Sequence, residues 1–391
     1  MLTSLAYIFL LGLLLGFIAE KLKLPRLIGM ILAGIILGPY TFKFLDSSIL
    51  NISSNLRQIA LVIILTRAGL SLNIGDLKKV GRPAILMCFV PACLEILGTI
   101  LIAPKLFGVT ILEAAIMGSV LAAVSPAIIV PRMIQLIEGG YGTKNSIPQM
   151  ILAGASVDDV FVVVLFTAFT GLASSGEISA LSFLQIPISI ILGVVVGIVV
   201  GIALVKFFKA CQIRDTVKVL IILSVSFLLL ECETLLKGIV PISALLAIMS
   251  MGVTIKQIHG VLATSIADQY NKLWVAAEII LFVLVGATVN LSYVAKAGLI
   301  AAIVVIGAMA FRMVGVYLCM LGTTLNKKER FFCMLAYTPK ATVQAAIGGM
   351  PLAMGLACGD KVLMLAVMSI LITAPFGAIC IDRNYKTLLK E

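Results

Sequence analysis

Residues 147–172 read IPQMILAGASVDDVFVVVLFTAFTGL, an apolar run interrupted by two adjacent carboxylates, Asp158 and Asp159. The run is long enough to cross a bilayer as a helix. At ~1.5 Å per residue, entry near Pro148 carries both acids ~15 Å deep, close to the midplane of a ~30 Å hydrocarbon core. Charge at that depth is expensive, and an intramembrane acid marks an ion or proton pathway unless it only locks helices together. A lock needs one carboxylate; here there are two.

The rest of the chain fits a membrane setting. Its 391 residues are 61% hydrophobic and 12% charged, with a mean hydropathy of +1.20, so an all-α polytopic membrane protein is expected, with no room for a soluble domain. Pro, Gly and charged punctuation divides it into about 13 transmembrane helices. The expected spans are 4–20, 26–42, 58–74, 83–104, 110–131, 148–172, 181–205, 216–232, 239–255, 272–291, 297–320, 330–355 and 361–381. The first run lacks a basic leader and a small-residue cleavage site, so it reads as a membrane helix rather than a signal peptide. Eight cysteines form no CxxC pattern, and His259 is the one histidine. A zinc site or disulfide framework is therefore not expected.

The formal charge of +11 is a topology signal rather than a nucleic-acid footprint. Odd-numbered connections and the tail hold most Lys and Arg, among them Lys21, Lys23, Arg26, Lys78, Lys79, Arg82, Lys206, Lys209, Arg214, Lys218, Lys327, Lys328, Arg330, Arg383, Lys386 and Lys390. Even-numbered connections hold only Lys43, Arg57, Lys105, Lys237, Lys296 and Lys361. The positive-inside rule then puts the N-terminus outside and the C-terminus in the cytoplasm, as for a multi-pass plasma-membrane protein. The basic surface also suits anionic lipid.

Two weak internal similarities suggest inverted repeats. LVIILTRAGLSLN (61–73) parallels IILFVLVGATVNLS (279–292), and SVLAAVSPAIIVP (119–131) parallels MLAYTPKATVQAA (334–346). The expected organisation is two inverted six-helix repeats, 1–172 and 214–383, joined by a linker helix at 181–205 and followed by a short tail, 384–391. Pro126 and Pro339 each remove a backbone donor deep in an apolar helix and break it. Such breaks turn half-helix ends and freed carbonyls toward a cation. Ser125 and Thr338, each just before its proline, add hydroxyls.

The deep charges are Glu95, Asp158, Asp159, Arg67, Arg312 and Lys340. Neighbouring aspartates on one helix diverge by ~100° and cannot both face one partner. One can face a cavity while the other pairs with a cation, and the two would titrate as a unit. Carboxylate, hydroxyl and carbonyl oxygens suit a proton or a hard alkali cation. Lys340 follows the Pro339 break and is placed to neutralise one aspartate. Glu95 and Arg312, on repeat-related helices, form a natural pair, either as a lock or in transport. Arg67 reads as a helix cap or fold support, Glu278 as a cavity-mouth residue, and the stripe LIGMILAGIILG (27–38) as a close-packing surface.

These residues resemble the monovalent cation:proton antiporter 2 family, nearest to its sodium/hydrogen exchanger B subgroup and bacterial relatives. The matching segments are ILAGIILGP (31–39), LTRAGLSL (65–72), PACLE (91–95), VSPAIIVPRM (124–133), GGYGTKNSIPQMILAGASVDD (139–159) and PKATVQAAIG (339–348). They run over nearly the whole chain, and the last two together are the specific ones. The resemblance implies the sodium/proton antiporter fold, with two crossing discontinuous helices around the aspartate pair. It implies Asp159 as main ligand, Asp158 beside it and paired to a base, Lys340 and Arg312 as the buried basic positions, and Glu95 as the arginine's acid. It also implies a homodimer, with a dimer domain from spans 1–3 and part of 8–10, and a mobile core working as an elevator. Relatives with lysine at the position of Arg312 are usually electrogenic, so the arginine leaves stoichiometry open.

The expected function is secondary Na+ or Li+/H+ antiport, a role in salt tolerance or pH homeostasis being inferred from the resemblance alone. Proton and metal ion (Na+ or Li+) compete for Asp158 and Asp159, with Ser125 and Thr338 as further oxygens. The chain is read as a carrier rather than an enzyme, with no cofactor and no nucleic-acid partner. K+/H+ exchange on the same fold is the close alternative. Its common form carries a soluble nucleotide-binding C-terminal domain, whereas this chain ends soon after its last helix. An uncoupled cation channel or a scaffold is a different class. An intramembrane aspartyl protease would need acids converging from separate helices and a GxGD motif, which are absent.

Overall fold

The computed structural model describes residues 1–72, 81–175, 180–211, 213–236, 240 and 242–389. Lys78, Lys79, Lys237 and Lys390, used above for topology, lie outside the described residues, as does Asn73. All regular structure among the described residues is helical.

Of the expected spans, eight coincide with helical segments long and apolar enough to cross a membrane: Leu2–Lys21, Arg82–Phe107, Ile111–Glu138, Ile147–Ala173, Ile188–Ala210, Gly260–Ala287, Ala297–Cys319 and Gly359–Leu388. Arg26–Leu37 and Ala244–Ile258 are shorter apolar helices. Among the described residues the full count of thirteen is not reached on this measure.

The interruptions have local causes. Thr110 caps Ile111–Leu121 through a reciprocal box with Glu113, and Asn326 caps Lys327–Ala336 through the same box with Glu329. Each box satisfies two of the helix's opening amides, so both helices start at a defined residue. Each then stops a few turns later. Pro126 marks a break between two helices rather than a kink in one. It occupies the first position of the next helix, Pro126–Glu138, where a missing N–H costs nothing. Residues 122–125 are the resulting gap. Residues 337–341, including Pro339, form the matching gap before Thr342–Ile347 and Met350–Ala353. The region 83–104, expected to be one span, is also divided, into Arg82–Met87 and Val90–Phe107 with Pro91 in the first turn of the second.

The chain forms two compact units: Met1–Arg57, Gly75–Val162 and Ile279–Glu391 make the first, and Gln58–Ile74 with Val163–Glu278 the second. Both expected repeats contribute to each. In the first unit, the Gly stripe packs as expected. A Cβ on Gly34 would collide with the Val283 carbonyl and lie 2.8 Å from the Gly286 Cα. Small residues are what let the two backbones approach. Gly34→Leu should therefore lower the apparent Tm in detergent by several degrees, since overpacking costs ~1–3 kcal/mol. An unchanged melting curve would mean that the helices separate without loss.

In the second unit, Gly193, Gly197 and Gly201, four residues apart, let Ala180–Ala210 lie along Ala244–Ile258. The opposite side of the former helix exposes Ile191, Val195 and Val199, as a lipid-facing surface does. Asp215 pairs with Lys218 at 2.7 Å and accepts the Ser265 hydroxyl, joining Asp215–Leu235 to the start of Gly260–Ala287. Arg67 and Glu278 lie in this unit and attract one another electrostatically.

Candidate functional site

The two gaps meet in the first unit. The Ser125 amide donates to the Pro339 carbonyl at 2.7 Å. Around this contact ion pairs bring together Glu95, Asp158, Arg312 and Lys340, with Ser125 and Thr338 each beside its proline and Asp159 next to Asp158 in the chain. All are buried: Glu95, Ser125, Asp158, Arg312, Thr338 and Lys340 at 0% exposure and Asp159 at 6%.

Arg312 is the hub. Its Nη1 pairs with Glu95 Oε2 at 3.0 Å, and its Nη2 with Asp158 Oδ2 at 2.6 Å. Its Nε donates to the Tyr337 carbonyl at 2.8 Å, and Nη1 also donates to the Ala122 carbonyl. The guanidinium lies 4.9 Å from the centroid of the Tyr337 ring. One planar fork thus holds two acids and the carbonyls of both gaps, which lysine could not do. Asp158 Oδ2 further accepts the Val124 amide at 3.1 Å.

The pairing of Glu95 with Arg312 is as expected from the sequence. The placement of Lys340 corrects an expectation. Its Nζ pairs with Glu95 Oε1 at 2.7 Å, not with an aspartate, and donates to the Leu121 carbonyl at 2.5 Å. The freed carbonyls of the first gap correct another. They were expected to face a transported cation, yet resident donors already take them. Lys340 holds Leu121, Arg312 holds Ala122, and Gln344 Nε2 donates to Val120, Leu121 and Ala123 at 3.1, 3.3 and 2.8 Å. Cations at a helix C-terminus answer its partial negative charge. Thr338 uses its hydroxyl hydrogen on the Leu335 carbonyl at 2.8 Å, leaving only lone pairs for a ligand.

What is left open is oxygen. Asp159 Oδ1, Asp158 Oδ1 and Ser125 Oγ are buried without a hydrogen-bond partner, as is Gln344 Oε1. Neither Arg312 nor Lys340 pairs with Asp159. The divergence expected of adjacent side chains is therefore seen: Asp158 goes to the arginine, and Asp159 turns elsewhere. Three acids against two bases leave the cluster one carboxylate in excess. An unpaired buried carboxylate is costly and is relieved by a proton or a cation.

Gln344 and Tyr337 were not singled out from the sequence. Gln344 lies in Thr342–Ile347, the short helix that opens just after the gap holding Lys340. Tyr337 fits because Gly154, one turn before Asp158, has no side chain; a Cβ there would lie 2.8 Å from the phenol oxygen. The phenol donates to the Met87 carbonyl at 3.1 Å.

Two interrupted helices meeting over a buried, acid-rich ion-pair cluster define a membrane ion carrier of the cation/proton antiporter class. Comparison with known proteins agrees. A family described as sodium/hydrogen exchanger, transmembrane, matches residues 6–382. Sodium/hydrogen exchanger 9B2 of Homo sapiens is 32% identical over 388 residues, 94% of this chain and 70% of that protein. The 9B2 protein of Pongo abelii is 31% identical over 384 residues, again 94% and 70%, and 9B1 of Homo sapiens 31% over 376, covering 91% and 71%. Among solved structures, the sodium proton antiporter MjNhaP1 of Methanocaldococcus jannaschii at pH 8 superposes with a TM-score of 0.86 at 21% identity, over 99% of this chain and 98% of that one. The chain belongs to the sodium/hydrogen exchanger family and is a multi-pass membrane protein.

Proposed function

We propose that this protein exchanges Na+ or Li+ for H+, with both ions competing for Asp159 and the free oxygen of Asp158. The observation that carries the reading is the buried, unpartnered Asp159 oxygen in a cluster with one carboxylate in excess. A proton and an alkali cation each cancel that excess, so either one makes the site neutral and cheap to move through apolar surroundings. An empty site carries net charge and resists the move, which couples the two fluxes. Ser125 Oγ and Thr338 Oγ1 supply further oxygens. Arg312, Lys340 and Glu95 keep Asp158 oriented and the helix gap closed against backbone competition. The alternating-access motion is an elevator of the broken helices, in a homodimer in the plasma membrane with the N-terminus outside.

The test is proton movement in proteoliposomes carrying a pH gradient, read by a quenched pH-sensitive dye, with Na+, Li+ and K+ added in turn. A response to Na+ or Li+ supports the proposal; a response to K+ alone replaces its ion. The charge count adds a second expectation. Because one proton and one cation neutralise the site equally, exchange should run one for one. The initial rate should then not change when a membrane potential of ~100 mV is imposed. A net charge moved per cycle would couple to that potential by ~2.3 kcal/mol, so a clear rate change would sink the one-for-one count.

A further inference from the structure

Two sets of unpartnered buried atoms differ in character. At the helix gaps they are mostly acceptors, as a cation site requires. In the segment that opens the helix Ser53–Ser71 they can donate: Arg57 Nη1, which only donates, and, one turn earlier, the Ser53 hydroxyl. Arg57 is 7% exposed and Ser53 4%. No acid among the described residues pairs with Arg57. Among the described residues its one hydrogen bond is a long contact from Nε back to the Ser53 carbonyl, 3.4 Å.

That bond holds the guanidinium beside the first turn of its own helix. There the amides of Ser53, Ser54 and Asn55 have no carbonyl one turn earlier in the helix, and the helix end carries partial positive charge. The guanidinium also rests on Gly349, between Thr342–Ile347 and Met350–Ala353. A Cβ at Gly349 would collide with Nη1 and lie 2.9 Å from Cζ and 3.0 Å from Nη2. Buried charge is normally paired, and this one has a helix N-terminus and a hydroxyl in place of an acid.

We propose that Arg57, Ser53 Oγ and the opening amides of Ser53–Ser71 bind one small monovalent anion of the halide class, chloride being the abundant one. Helix N-termini with free amides are ready anion sites, and a cation one turn in supplies the charge. The near-complete burial of Nη1 favours a bare halide over a lipid headgroup. The bound ion would neutralise Arg57 and tie the start of this helix to the turn at Gly349. This site is separate from the aspartate cluster and does not depend on its assignment.

The experiment uses purified, delipidated protein in neutral detergent at fixed Na+, pH and ionic strength, with chloride replacing gluconate stepwise. A saturable rise in Tm of about 2–4 °C is expected. It should vanish in Arg57→Gln and need several-fold more chloride in Ser53→Ala, a mild change that keeps the fold if the first variant fails. In bromide-soaked crystals an anomalous peak should stand beside the Arg57 guanidinium. No saturable chloride effect in the parent protein, or an equal effect in Ser53→Ala with no bromide peak, overturns the proposal. So does a rise produced by phosphatidylglycerol and not by chloride, which would assign the charge to a lipid phosphate.

Discussion

Asp159→Asn is expected to abolish Na+- and Li+-dependent proton movement in proteoliposomes while leaving the protein folded. The side chain keeps its shape but loses the charge that both ions neutralise. Losing a charge-assisted contact of ~3 kcal/mol corresponds to ~100-fold in cation affinity, and without a titrating carboxyl at this position the proton has no place in the cycle. Folding should survive because Asp159 Oδ1 has no hydrogen-bond partner to lose. The amide even removes a buried charge, so Tm should hold or rise. Asp158→Asn should behave differently, since its Oδ2 accepts from Arg312 and Val124. Near-normal exchange by Asp159→Asn in reconstituted protein would reject the assignment of the site.

Arg312→Met should instead fail at the level of folding. Three acids would then face Lys340 alone, and the Ala122 and Tyr337 carbonyls would lose a donor. Breaking a buried pair by removing one partner costs ~3–5 kcal/mol, a large share of the ~5–15 kcal/mol that holds a typical domain. Low folded yield and a collapsed Tm are expected. Arg312→Lys keeps the charge but not the fork, so it should recover only part of the stability. The informative variant is the double one. Arg312→Met with Asp158→Asn removes both ends of the 2.6 Å pair, leaves Glu95 with Lys340, and should be more stable than Arg312→Met alone. If the two substitutions simply add, Arg312 and Asp158 are not coupled and the hub is misassigned.

Reading the chain located both gaps, because proline chemistry is local: Pro126 and Pro339 cannot donate wherever they lie. It also placed Asp158 and Asp159 well inside one long apolar helix, Ile147–Ser175, since that position follows from counting residues along the run. The Glu95–Arg312 pair was reachable through the repeat. The Lys340 partner was not, and the reason is packing. The helices here are apolar nearly all round, so periodicity does not say which face a charge occupies. Lys340 meets Glu95 across 245 positions of chain, and Gln344 meets Ala123 across 221.

The same division applies to the whole molecule. Composition, charge asymmetry and helix-breaking residues are properties of short stretches; they dictate a membrane-embedded helical protein with acids inside apolar helices, whatever the stretches pack against. Which acid each base neutralises depends on distances set by several helices at once. Coulomb attraction falls with separation and rises steeply out of water, so an ångström of packing decides between partners. Only the folded chain commits Lys340 to Glu95, gives the carbonyls at 120–123 to resident donors, and thereby leaves Asp159 as the acid of the cluster that neither base pairs.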